Sequence, residues 1–205
     1  MECNIVLAGL IFETNLGDRA IFETSRFLLK KSLEKQGKTN VAVREMDLMG
    51  RSQGGDSLRR RLRRSFKWRL IHKLCKCVHF FCEDVFERNE NREEYQITLR
   101  QIQEIADKNT KAIIFSGGGI IKYKYQFFYL YIDALTYYAE KHNIPVMISA
   151  AGIEGFDASD KKCQRLVRAL NRSCVKMITT RDDIDLLKKS YRKGSWLAAR
   201  WPCRA

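Results

Sequence analysis

Three short turns put glycine beside polar side chains just where an apolar run ends. They are Asn15-Leu16-Gly17-Asp18, Gly117-Gly118-Gly119 and Ala151-Gly152-Ile153-Glu154-Gly155. Each follows a segment of strand composition and leads toward one of helical composition, so each lies where the N–H groups of a helix start are free. Glycine allows positive φ and close approach of a ligand, and an anion at an exposed helix N-terminus gains about 0.3–1 kcal/mol. Phosphate or sugar hydroxyls are the groups such loops could cradle. The competing account of any single loop is that Asp18 caps a helix and the glycines make turns. None of the loops carries the dinucleotide pattern G-x-G-x-x-G or the Walker pattern G-x-x-x-x-G-K-[ST], since Lys122 in GGGIIKYK lacks the preceding glycine spacing. NAD and ATP are disfavoured on that ground.

The elements that must hold these turns alternate. Residues 4–11 read as a buried strand, and Ile21, Leu28, Leu29 and Leu33 recur at helical spacing until Gly37 stops the run. A second strand is expected over 39–46, a basic amphipathic helical segment over 56–88, and a helix over 93–107. Then come strand 111–116, the triple glycine, an aromatic-rich helix over 125–141, strand 144–149, a loop over 151–157, a helix over 160–170 and strand 175–180. A short helix opened by Arg181 and Asp182 follows, where the two would serve as an ion pair and cap. The runs 111–116 and 144–149 are apolar throughout, the mark of strands buried on both faces. The fold expected is therefore α/β, a doubly wound, mostly parallel Rossmann-like sheet over 1–190. The tail 191–205 reads as irregular and basic, with no strand after the last helix.

Composition narrows the class. At 205 residues and 45% hydrophobic content the chain can bury roughly 70% of its unfolded surface. No apolar run reaches the roughly 18 residues of a membrane span. MECNIVLAGL lacks a basic cluster and a small-residue cleavage site, so a cytoplasmic location is expected. Seven cysteines in an odd, scattered set do not form a disulfide framework and are expected to be reduced. A net charge of +14 favours an anionic partner. In RRRLRRSFKWRLIHK, residues 59–73, basic residues interleave with Leu62, Phe66, Trp68 and Leu70, which suits an anionic membrane surface; a solvated basic face over a core stripe is the alternative. With no zinc finger, RRM-like aromatic motif or helix-turn-helix signal, nucleic acid is disfavoured. His72, Cys75, His79 and Cys82 share one helical face but would spread over roughly 15 Å by helical rise, too far for one tetrahedral ion, so no metal is expected.

Taken in order, TNLGDRAI after the first strand, FSGGGII after a middle one, SAAGIEGF after the next and TTRDDIDLLKK after the last resemble the polysaccharide pyruvyl transferase family over residues 4–190. The resemblance implies transfer of the pyruvate skeleton of phosphoenolpyruvate, as a ketal, to sugar hydroxyls of a glycan or lipid-linked glycan precursor. No cofactor is implied, phosphoenolpyruvate being the donor substrate. It also implies the N-terminal domain of a two-domain enzyme similar to GT-B glycosyltransferases, with the second domain, which carries most of the donor-gripping arginine and histidine groups, absent from this chain. Acceptors of this kind agree with a peripheral place at the inner face of a membrane. The reaction needs a base for the attacking hydroxyl, a proton for the donor methylene, and cations around phosphate and carboxylate. Asp18 is the candidate base. Asn15, Gly17, Gly117, Gly118, Gly119, Gly152, Arg181 and Asp182 are the candidate substrate contacts, with Arg181 facing an anion. The SAAGIEGF turn departs from the family's more usual Gly-x-Gly-Pro-Phe at Glu154. A GT-B-like glycosyltransferase using a nucleotide sugar, and a basic module binding anionic lipid or nucleic acid, are the alternative readings.

Overall fold

In the computed structural model, residues 3–12, 15–49, 82–122, 128–182, 184–192 and 196–198 are described, with 82–90 and 196–198 described by their backbone. The basic segment 59–73 and the residues His72, Cys75 and His79 lie outside the described residues. In chain order the elements are β1 (Cys3–Gly9), α1 (Leu16–Lys35), β2 (Val41–Asp47), α2 (Cys82–Ile105), β3 (Thr110–Phe115) and β4 (Gly118–Lys122). There follow α3 (Phe128–Lys141), β5 (Val146–Glu154), α4 (Lys161–Leu170), β6 (Val175–Thr180), α5 (Ile184–Ser190) and β7 (Trp196–Ala198).

All described strands are parallel and join one sheet in the order β2-β1-β3-β5-β6-β7, with β4 also on β5. The α/β, Rossmann-like expectation holds. β3 and β4 run end to end along one edge of β5: Phe115 pairs with Ile148 and, after a break at Ser116-Gly117, Gly118 pairs with Ala151. Two sequence expectations are corrected here. Gly117 lies in a strand interruption and Gly118 and Gly119 open β4, in place of a loop leading to a helix, and β5 continues through Gly152 and Ile153 to Glu154 instead of ending at 149. Ala151-Gly152-Ile153-Glu154 thus stands in the sheet, because β4 supplies it with ladder partners. A third correction lies in the tail, where Trp196–Ala198 pairs with Ile178–Thr180 as a further parallel strand.

The step from β1 to β2 runs across the sheet opposite to all later steps. Right-handed crossovers therefore put α1 on one face and the later helices on the other. Burial agrees. Val6, Ala8, Ile113, Phe115, Val146, Ile148, Ala151 and Ile153 belong to the main core under α2, α3 and α4, whereas their alternates Ile114, Met147 and Ser149 are only half-buried. Within α1 only Phe22 is buried. Of the stripe expected at Ile21, Leu28, Leu29 and Leu33, three residues are half-buried, but Leu28 is 57% exposed and Phe22 turns inward against Gly9 and Ser116. Gly37 ends α1 at φ 68, with Gly37 N donating to Glu34 O and Lys38 N to Leu33 O, a Schellman close.

The strand ends opposite the glycine turns are tied by Asp107. Its carboxylate accepts from Asn4 Nδ2 at 2.9 Å and Asn109 N at 2.8 Å, and meets Arg44 Nη2 at 2.9 Å. These bonds, Asn4 first, hold the Asp107 carboxyl below the usual carboxylate range. A depressed folded-state pKa contributes stability that is present above the unfolded value and is lost as pH falls through the folded one. Asp107→Ala is expected to be less stable than the parent at neutral pH. The gap should close as pH drops through the acidic range, read from urea midpoints at successive pH values. A gap that does not change with pH would remove the charge from this account.

Candidate functional site

The chain departs from β1 toward β2 on one side and returns as β3 on the other, so the carboxyl ends of β1 and β3 flank the topological switch point, where open α/β sheets bind ligands. The β1 exit is shaped by Asp47 at the end of β2, whose carboxylate accepts from Ile11 N at 3.0 Å and Phe12 N at 3.3 Å, and from Met49 N at 3.1 Å. The chain then enters α1 through Asn15. Asn15 is the N-cap: its side-chain oxygen accepts from Gly17 N at 3.0 Å, and its Nδ2 donates to Asp18 Oδ2 at 3.1 Å. The cap is therefore Asn15, and Asp18, half-buried in the first turn, has its other oxygen directed at β4.

Gly117 and Gly118 are each required by their surroundings. A Cβ at Gly117 would stand 2.5 Å from Ala150 O, so the two backbones could not approach. Gly118 has φ 97, and a Cβ there would lie 3.1 Å from Asp18 Oδ1. Gly119 has no unusual φ, and a Cβ there would meet only the flexible end of Lys122, 2.9 Å from its Cε, which could move aside. The turn at Asn15 and the triple glycine thus meet through Asp18 and Gly118. Just before them, Ser116 is 1% exposed and its hydroxyl has no hydrogen-bond partner among the described residues.

The other two motifs meet one strand over. Ala151 is in register with Gly118 on one side and Thr180 on the other, so the four motif ends form a row across the sheet. The irregular stretch of β5, with Ala150 at φ 51, is clamped by the Thr-Thr pair of β6: Ala150 N donates to Thr179 Oγ1 at 2.7 Å, and Thr180 Oγ1 donates to Ala151 O at 2.9 Å. Arg181 and Asp182 do not open a helix, since α5 starts at Ile184. They lie in the β6–α5 connection instead. Asp182 Oδ2 accepts from Ile153 N at 2.6 Å, and Arg181 lies over Gly152, where a Cβ would be 3.1 Å from its Nη2. Their mutual contact is loose, 4.0 Å from Arg181 Nε to Asp182 Oδ1. Beyond Gly152, Lys122 Nζ meets Glu154 Oε1 at 2.9 Å.

Two half-sites result: Asp18 with the triple glycine, and Gly152 with Arg181 and Asp182, joined by the Gly118–Ala151 pairing. Sequence reasoning missed Asp47, the Thr179 and Thr180 clamp, Ser116, and the Lys122–Glu154 pair. Only the last carried a signal, two opposite charges each a few residues beyond a glycine turn. A model of the family described as polysaccharide pyruvyl transferase matches residues 15–190. The chain belongs to the polysaccharide pyruvyl transferase family. The match begins at the Asn15 cap and ends at Ser190, so both half-sites lie inside the family region. Comparison with curated proteins and with solved structures gives no match. Among the described residues no group of three or more His, Cys, Asp or Glu side chains could hold a metal ion, and no helix is long and apolar enough to cross a membrane.

Proposed function

We propose that this member of a transferase family moves the pyruvate skeleton of phosphoenolpyruvate to two hydroxyls of a sugar, as a ketal, on a glycan or lipid-linked glycan. The family match across 15–190 carries the reading, and the meeting of Asp18 with Gly118 at the switch point supports it. In the first step a sugar hydroxyl attacks C2 of the donor, its proton passes to a base, and the methylene carbon takes up a proton to become methyl. The second hydroxyl then attacks the same carbon, phosphate leaves, and the ketal closes, so the two hydroxyl protons end on the methyl group and on phosphate. Asp18 is assigned as the hydroxyl base, half-buried and fixed by Asn15. Asn15, Gly17, Gly117, Gly118, Gly119 and Gly152 would line the acceptor, with Arg181 and Asp182 at its charged edge. The basic run 59–73 would hold the protein against an anionic membrane carrying such acceptors.

The full protein incubated with phosphoenolpyruvate and lipid-linked glycans is expected to yield acceptor whose mass rises by one pyruvyl ketal, with one phosphate released per ketal. Sugar transfer from a nucleotide sugar, with phosphoenolpyruvate left untouched, would replace this reading by the glycosyltransferase one.

A further inference from the structure

Two glycines of the site, Gly119 and Gly152, are not required by backbone conformation, since neither has positive φ. Each is instead overlain by a cation: Lys122 Cε at 2.9 Å and Arg181 Nη2 at 3.1 Å from the position a Cβ would take. On β5, Ala151 and Ile153 point into the main core, so alternation turns Gly152 and Glu154 to the opposite face of the sheet. Along that face the two positions are roughly 7 Å apart by strand rise. The Lys122–Glu154 and Arg181–Asp182 pairs accordingly stand side by side over bare backbone, at the same strand ends as Asp18. Neither pair is sealed. Lys122 is 24% and Glu154 56% exposed, while Arg181 is 46% exposed. Asp182 is already committed to Ile153 N. Exposed ion pairs are weakly held, and a phosphate group offers both cations a stronger, charge-assisted acceptor.

We propose that Lys122 and Arg181 form a two-cation site for a substrate phosphate group, with Glu154 the counter-ion that the phosphate displaces from Lys122. This deepens the pyruvyl-transfer reading and rests on it for the choice of substrate. The phosphate belongs either to phosphoenolpyruvate or to the diphosphate linking a glycan to its lipid, and the two sources bind the same cations. Lys122 becomes a binding residue that the pattern of glycines alone did not assign.

Titration calorimetry of the full protein at low ionic strength, with inorganic pyrophosphate and phosphoenolpyruvate as separate probes, tests this. Lys122→Gln and Arg181→Gln should each weaken binding about tenfold, the loss of one charge-assisted contact. Glu154→Gln should tighten binding several-fold by removing the competing carboxylate. Opposite signs for Lys122→Gln and Glu154→Gln are the signature, because a merely structural ion pair would move both variants the same way. Shifts confined to pyrophosphate assign the site to the acceptor linker, and shifts confined to phosphoenolpyruvate assign it to the donor. No binding of either probe, or unchanged affinity in Lys122→Gln and Glu154→Gln at unchanged Tm, overturns the site. If binding behaves as expected but no ketal forms on any acceptor, the site stands and the pyruvyl reading fails. If ketal forms at equal kcat/KM in parent and Lys122→Gln, the reading stands and the site fails.

Discussion

Asp133→Ala should lower the unfolding free energy by about 3–5 kcal/mol, toward the lower figure, the usual cost of removing one partner from a buried charge network. Asp133 is 6% exposed on α3. Its carboxylate meets Arg165 Nε of α4 at 2.5 Å and Arg172 Nη2, just past α4, at 2.7 Å. Arg172 also donates through Nη1 to Asp133 O at 2.6 Å and to Thr136 Oγ1 at 2.8 Å. The two guanidinium groups lie over the rings of Tyr95 and Tyr137, at 5.0 and 5.6 Å from the centroids. With Asp133 removed, Arg172 keeps its longer contact with Glu140 at 3.6 Å, but both cations of the α4 side lose the carboxylate that they share with α3. Their partial exposure, 33% and 20%, lets water offset some of the loss, hence the lower end. Against a typical domain stability of about 5–15 kcal/mol this is a large fraction. Urea unfolding followed by far-UV circular dichroism reads it. A change under about 1 kcal/mol would show that helix packing alone holds this layer.

Asp18→Asn should leave the fold almost intact and reduce the rate of transfer by about 10²–10⁴-fold, the range for loss of a general base. The amide keeps an oxygen able to accept from Asn15 Nδ2, which the carboxylate now does at 3.1 Å. Only the charge at the first turn of α1 is lost, about 0.3–1 kcal/mol. Unfolding and turnover therefore separate the two roles. Parallel modest losses in both would return Asp18 to a purely structural place beside the Asn15 cap.

The architecture was legible because its strands are short, apolar and separated by helical spacing, so KAIIF and IPVMIS announced a parallel sheet. The same logic failed at Gly152. A glycine after an apolar run reads as a loop, yet ladder partners from β4 keep it in the sheet, and such partners are set by tertiary pairing that no local pattern carries. Phe22 rather than Leu28 turns inward for a related reason: the inward direction of α1 is set by Gly9 and Ser116 beneath it rather than by its most apolar stripe. At the site, residue types were visible and partnerships were not. Asp182 looked like a helix cap by position, and it holds the Ile153 amide instead, a contact between residues far apart in sequence. Lys122 was seen only as a failed Walker lysine, because its ion pair with Glu154 exists only once β4 and β5 are aligned.

The proposed transfer of pyruvate from phosphoenolpyruvate to a sugar depends on Asp18 at the strand-end site. Phosphate release from phosphoenolpyruvate with a lipid-linked glycan acceptor, measured on the full protein and on Asp18→Asn at equal folded concentration, decides this. The expected result is release that requires the acceptor and falls by at least about a hundredfold in the variant. Release that proceeds equally in Asp18→Asn, or that does not depend on the acceptor, would contradict it.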